Sequence, residues 1–148
     1  MKDKEKLMIY NYGERSSKRL DTCSFNVQYV MQEAIAMGLI DITIIEGQRP
    51  DEKQHEYFLN GSSRVDVGNP KAMHNYYKPS KAVDAAPYID GTASSNWRHC
   101  IFLAGVVLTV GKKLGIPMRW GGNWDMDGEP ITDQDFQDLW HFEEAEKE

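Results

Sequence analysis

The chain has 148 residues, of which 41% are apolar and 27% charged, with a net charge of −6. That size fits one domain, and the acidic balance argues against a nucleic-acid partner, which would favour a basic patch. No apolar run approaches the ~20 residues of a membrane helix, and the opening MKDKEKLMIYNYGERSSKRL lacks the apolar core of a secretory leader. The expectation is therefore a monomer made in a cytoplasm, without membrane insertion.

Residues 24–38, SFNVQYVMQEAIAMG, place Val27, Val30, Met31, Ala34 and Ile35 at the spacing of one helix face. Ser24 or Thr22 can cap the start, and Gly38 sits where a helix often stops. IDITIIEG, residues 40–47, reads as a strand. RPDEKQHEYFLNG, with Pro50 at a first turn and acidic residues after it, reads as a short helix. Residues 61–81 are rich in Gly, Ser, Asn, Pro and Lys and read as an irregular loop. KAVDAAPYID suggests a strand and turn. Residues 95–114 predict a second long helix, apolar nearly all round and hence buried and central. PMRWGG predicts a strand, GNWDMDGEPITDQDFQDL a polar loop, and HFEEAE a final short strand. The interspersed short elements point to a small α+β domain with a short, mostly antiparallel sheet packed against two long helices. Cys23 and Cys100, far apart in a chain without a leader, read as reduced and buried.

Four histidines are present. His55 falls in a polar helix and is expected to face solvent. His99, near the start of the long helix, reads as a satisfied structural residue. His74 in AMHNYYKPSKAVD and His141 in DLWHFE differ in context, because each has an aspartate nearby: Asp84 ten positions on, and Asp138 three before. A catalytic zinc takes three protein ligands and leaves one position for water. Two histidines and one carboxylate meet that need, and a further carboxylate can act as general base. From spacing alone any chain with four histidines offers such a trio.

Several separated segments add weight. In order, SSKRLDTC, DITIIEGQRPDEKQHEYF, HNYYKPSKAVDAAPY, MRWGGNWD and DLWHFE resemble those of the phage L-alanyl-D-glutamate peptidases, a branch of the D-alanyl-D-alanine carboxypeptidase-like zinc peptidases. The resemblance implies a zinc site in a cleft over the sheet, with His74, Asp84 and His141 as ligands. It implies Asp138 as base, Arg49 of the EGxR turn as the partner of the oxyanion, and Gln54 as a substrate contact or a support behind the site. Glu46 reads as a structural carboxylate pairing with Arg49. DLWHFE would then hold base and last ligand in one rigid segment.

The chain departs from the family's pattern at one place. The usual histidine-to-aspartate spacing is shorter; here nine residues intervene, position 72 is Ala, and HNYYKPSK replaces a glycine-bearing stretch. The ligands can still converge if the extra residues bulge out as a loop. Tyr77 in the histidine's place is unattractive, since a neutral tyrosine binds zinc poorly. In NWDMDGEPITDQD, Asp125, Asp127 and Glu129 around Gly128 resemble the first half of a calcium loop, but the twelfth position from Asn123 is Gln134, not a bidentate Glu. A solvated loop is the preferred reading over a weak Ca2+ site.

The resemblance implies a cell-wall hydrolase that cuts the peptidoglycan stem peptide between L-alanine and D-glutamate. It implies a phage endolysin waiting in the host cytoplasm until it is released to the wall. The whole chain would be one catalytic domain without a wall-binding module. The alternatives are a D-alanyl-D-alanine carboxypeptidase or dipeptidase, and a non-catalytic zinc-binding module. Asp138 and Arg49 argue against the last, since structural zinc needs neither, and it is usually closed by four ligands, mostly cysteine.

Overall fold

The computed structural model describes residues 8–124, 126 and 138–146. In chain order the elements are α1 (Glu14–Leu20), α2 (Phe25–Ala36), β1 (Ile42–Glu46), α3 (Asp51–Leu59), β2 (Ala82–Ile89), β3 (Thr92–Ala93), α4 (Trp97–Leu114), β4 (Met118–Gly121) and β5 (Asp138–Glu144). The sheet runs β1-β2-β5-β4, with β3 paired to the end of β2, and every pairing is antiparallel. This is the α+β fold expected from the sequence.

Each long helix follows from its apolar spacing. In α2, Val27, Val30, Met31, Ala34 and Ile35 are buried, as the spacing predicts. Ser24 caps it, its Oγ accepting from Val27 N at 3.3 Å. In α4, Asn96 is the cap, and Cys100, Leu103, Ala104, Val106, Val107, Val110 and Gly111 are buried. The expectation that α4 is buried all round is corrected: Trp97 and Phe102 are 53% and 51% exposed. An apolar residue at the surface is common, and the helix packs by one face only. That face meets α2 and the sheet, where Ile42, Ile44, Val83, Trp120 and Phe142 complete the core. Side chains alternate along a strand, so Asp84, between the core residues Val83 and Ala85, faces away from the helices.

α1 and β3 were not anticipated. α1 seals the outer edge of β1: Ser16 Oγ accepts from Ile44 N at 2.9 Å, and Arg19 Nη1 donates to Ile44 O at 3.0 Å. The last strand begins earlier than HFEEAE suggested, taking in Asp138, Leu139 and Trp140. Cys23 and Cys100 are free and buried, as expected. His55 is exposed and pairs with Asp66, and His99 Nδ1 is bonded to Ser94 Oγ at 2.7 Å, so neither enters the site below. No helix among the described residues is long and apolar enough to cross a membrane.

Candidate active site

Three strands set the site. Glu46 of β1 lies opposite Asp84 of β2, and Asp84 lies opposite His141 of β5. Directly opposed residues in antiparallel strands share a face, so this row points together into the cleft. Phe142, fully buried, anchors β5 from the core side. His74 reaches the row from the loop. Its ring Nδ1 lies 2.8 Å from Gly47 O, and its own carbonyl accepts from Arg49 N at 2.8 Å and Gln48 Nε2 at 3.1 Å. Gly47 is itself pressed against the end of α1. A Cβ there would lie 2.3 Å from Thr22 Oγ1 and 2.4 Å from Arg19 O.

His74 Nε2, Asp84 Oδ1 and His141 Nδ1 form a triangle with edges of 3.1, 3.2 and 3.4 Å. It is the one His/Cys/Asp/Glu group of this kind among the described residues. The proton positions are telling. His74 Nδ1 faces the Gly47 carbonyl, and His141 Nε2 faces Glu143 Oε1 at 2.7 Å. Each outward acceptor can take one ring N–H, and a neutral imidazole bonded in that way turns its other nitrogen, with a lone pair, toward Asp84. Two imidazole lone pairs and a carboxylate oxygen converge on one point and need a positive charge there. Burial disfavours a charged His141, but Asp84 and Glu143 outweigh it and, with no other cation present, hold the imidazole up at about 9. The histidines likewise hold the Asp84 carboxyl far below its ordinary value, against the effect of burial. A metal ion satisfies all three donors at once. Tetrahedral zinc with bonds of about 2.0–2.1 Å spaces neighbouring donors about 3.3 Å apart, close to the triangle found.

Asp138 reaches the same cleft by an irregularity. Residues three apart on a regular strand point to opposite faces. Here Trp120 pairs with Phe142 but the next residue, Gly121, pairs with Asp138. β5 thus spends extra residues against one step of β4, a bulge that re-aims a side chain, and Asp138 lines the cleft with His141. Burial first, then the charge of Asp84, pushes its carboxyl above the usual range. Trp124 packs beside the His141 ring, centroids 5.3 Å apart.

Arg49 borders the cleft. Its Nε and Nη2 donate to Glu46 Oε1, and its Nη1 donates to Gln54 Oε1 at 3.0 Å. Gln54 is fully buried, and its amide donates to Val65 O at 2.6 Å and Ser63 Oγ at 3.0 Å. It therefore ties Arg49 to the loop wall. Glu46 also pairs with Lys53 at 2.9 Å, so the cluster keeps a net positive charge. Glu143 is a residue the sequence reading missed. Nearly buried, it accepts from His141 and, through Oε2, from Arg119 Nη2 at 2.7 Å. The signal was available: in HFE, positions i and i+2 of a strand share a face. Of the extra residues after His74, Tyr76, Lys78 and Pro79 are exposed, and Tyr77 lines the cleft without joining the ligand triangle. The calcium candidates Asp125, Asp127 and Glu129 lie outside the described residues.

With this geometry in view, the comparisons decide the kinship. Residues 8–144 match the family described as phage L-alanyl-D-glutamate peptidase. The chain belongs to that family. It is 29% identical over 123 residues to the L-alanyl-D-glutamate peptidase of Escherichia phage T5, covering 82% of this chain and 87% of that one. Its fold matches the crystal structure of the Serratia marcescens L-Ala D-Glu endopeptidase ChiX with a TM-score of 0.73, at 24% identity, over 93% of this chain and 91% of that one. In this member of the peptidase family, the cleft over the sheet encloses about 1030 Å³.

Proposed function

We propose that the chain is a zinc-dependent endopeptidase of the peptidoglycan stem peptide, cutting between L-alanine and D-glutamate. The reading is carried by the ligand triangle, in which each imidazole has an outward acceptor for one N–H and turns its other nitrogen on Asp84. Membership of the phage peptidase family supports the bond. Zinc, when bound by His74, Asp84 and His141, supplies Lewis-acid polarisation of the scissile carbonyl and lowers the pKa of water toward about 7.

The chain's own groups do the rest. Asp138, once ionised, takes the proton from the attacking water and returns it to the leaving amine. Its raised carboxyl makes it a better base than a free aspartate. Arg49 has five N–H donors, and its bonds to Glu46 and Gln54 leave two N–H groups to meet the oxyanion. A guanidinium fixed before the reaction needs no reorganisation as that charge develops. Glu143 holds the His141 ring and its tautomer. On this reading the protein is made in the host cytoplasm and meets its substrate after release to the wall.

The test is a digest of purified peptidoglycan by zinc-loaded protein beside an Asp138→Ala control, with products identified by mass spectrometry. Stem peptides beginning at D-glutamate, absent in the control, are expected. Free D-alanine alone would move the activity to the carboxypeptidase branch. No product from protein holding one zinc would leave a binding module.

A further inference from the structure

The longer stretch between His74 and Asp84 is firmly held at both ends. Asn75, 2% exposed, donates its side-chain amide to Arg49 O at 2.9 Å and Asp51 Oδ1 at 2.7 Å. Ser80, fully buried, donates Oγ to Ala82 O at 2.8 Å and its backbone N–H to Thr22 O at 3.1 Å. Between these anchors Tyr76, Lys78 and Pro79 are exposed, while Tyr77 lines the cleft. The Lys81 ammonium stands 4.4 Å from the Tyr77 ring centroid, and both side chains line the cleft. Tyr76 packs edge-on against Tyr77 at 5.0 Å and steadies the ring from outside.

Lys81 enters no ion pair among the described residues, whereas Lys53 and Lys78 pair with Glu46 and Asp51. Two acidic neighbours on its wall, Glu143 and Glu144, are engaged elsewhere. Glu144 accepts from Ser24 Oγ at 2.7 Å and Asn26 Nδ2 at 3.1 Å, and Glu143 is held by His141 and Arg119. A ring face orients an ammonium but does not neutralise it. A chain of charge −6 thus keeps an oriented positive charge in its cleft.

We propose that Tyr77 and Lys81 form a subsite for a substrate carboxylate, the free carboxyl group of the glutamate on the leaving side of the scissile bond. This rests on the endopeptidase reading above. D-Glutamate has two carboxyl groups and only one continues the peptide, so the other keeps its charge a few bonds from the scissile nitrogen. Lys81 stands just before β2, outside its regular alternation, and precedes Asp84 by three residues, about 10 Å of extended chain, a gap that a lysine stem and a glutamyl group span together. Its carbonyl accepts from Glu144 N at 2.9 Å, at the end of β5 opposite to Asp138. Lys81 and Asp138 thus lie by opposite ends of β5, and both line the cleft that holds His74 and His141. Lysine, a compact charge with rotatable donors, suits a single carboxylate.

Steady-state kinetics on two stem peptides, identical except for a free carboxylate or a carboxamide on the glutamate, test the subsite. The wild type should prefer the carboxylate. Lys81→Met should lower kcat/KM on that peptide by about ten- to a hundredfold and much less on the carboxamide peptide, with an unchanged melting temperature reporting a folded enzyme. Lys81→Arg should restore most of the loss. Equal losses on both peptides, or an unchanged preference, would overturn the subsite alone. A wild type that cuts neither peptide overturns the endopeptidase reading and the subsite with it.

Discussion

Replacing Gly121 by alanine should abolish most turnover while leaving the proposed metal ligands in place. A Cβ at Gly121 would stand 2.0 Å from Asp138 O, 2.9 Å from its carbonyl carbon and 3.0 Å from its Cβ, where ordinary contact begins at 3.4 Å. The obstructing atom is backbone, so no side-chain rotation relieves it, and the Asp138 peptide must retreat by more than ~1 Å. A misplacement of ~1 Å costs about 10²-fold in rate, and the strain should cost about 1–3 kcal/mol of stability. His141 is held independently, by its pairing with Asp84, by the buried Phe142 and by Glu143. The assay is kcat/KM alongside zinc stoichiometry and the melting temperature. A normal kcat would refute the idea that the bulge places the base. Joint loss of zinc and activity would show that base and ligand move as one piece.

Three further outcomes follow from the same geometry. Glu143→Gln should weaken zinc binding by about 10–100-fold, measured by competition with a chromophoric chelator; unchanged affinity would remove Glu143 from the support of His141. Arg49→Ala should lower kcat by about 10²–10³-fold with a smaller change in KM; the reverse pattern would make it a binding residue. The Glu46 carboxyl, despite burial, is held below its ordinary 4.5 by Arg49 and Lys53. Its folded value is the depressed one, so its stabilising contribution is complete above that ordinary value and is lost as pH falls through the lower folded value. Melting of metal-free protein should therefore show Glu46→Gln less stable at neutral pH, with the gap closing in acid; a constant gap would break the assignment.

The spacing of apolar residues made α2, α4 and the strands β1, β2, β4 and β5 legible, because burial imposes period 3.6 or 2. α1 escaped notice because its seven residues, ERSSKRL, are polar and carry too little apolar spacing; it is held by bonds to Ile44 that no local pattern reveals. β3 could have been found, since Asp90–Gly91 between Ile89 and Thr92 is a strong hairpin signal. The full circumference of α4 looked apolar, yet sequence cannot say which side meets the sheet. At the site, the resemblance brought out the residues of the triangle, and Asp138 by its offset from His141. What spacing hid was how Asp138 reaches the cleft. Three residues apart on a strand is the wrong parity, and only the register shift beside Gly121 resolves it. The Glu143 support was hidden by a reading that stopped at the histidine.

The two thiols described above bear on the journey this enzyme is proposed to make. Burial pushes the Cys23 thiol up to about 12 and raises Cys100 as well. Thiolate is the form that oxidises and binds metal. Neither cysteine is therefore suited to capture a metal ion or to join a passing disulfide. Such a protein can pass from a reducing interior to an oxidising exterior with its covalent structure unaltered, and without a redox partner to prepare it.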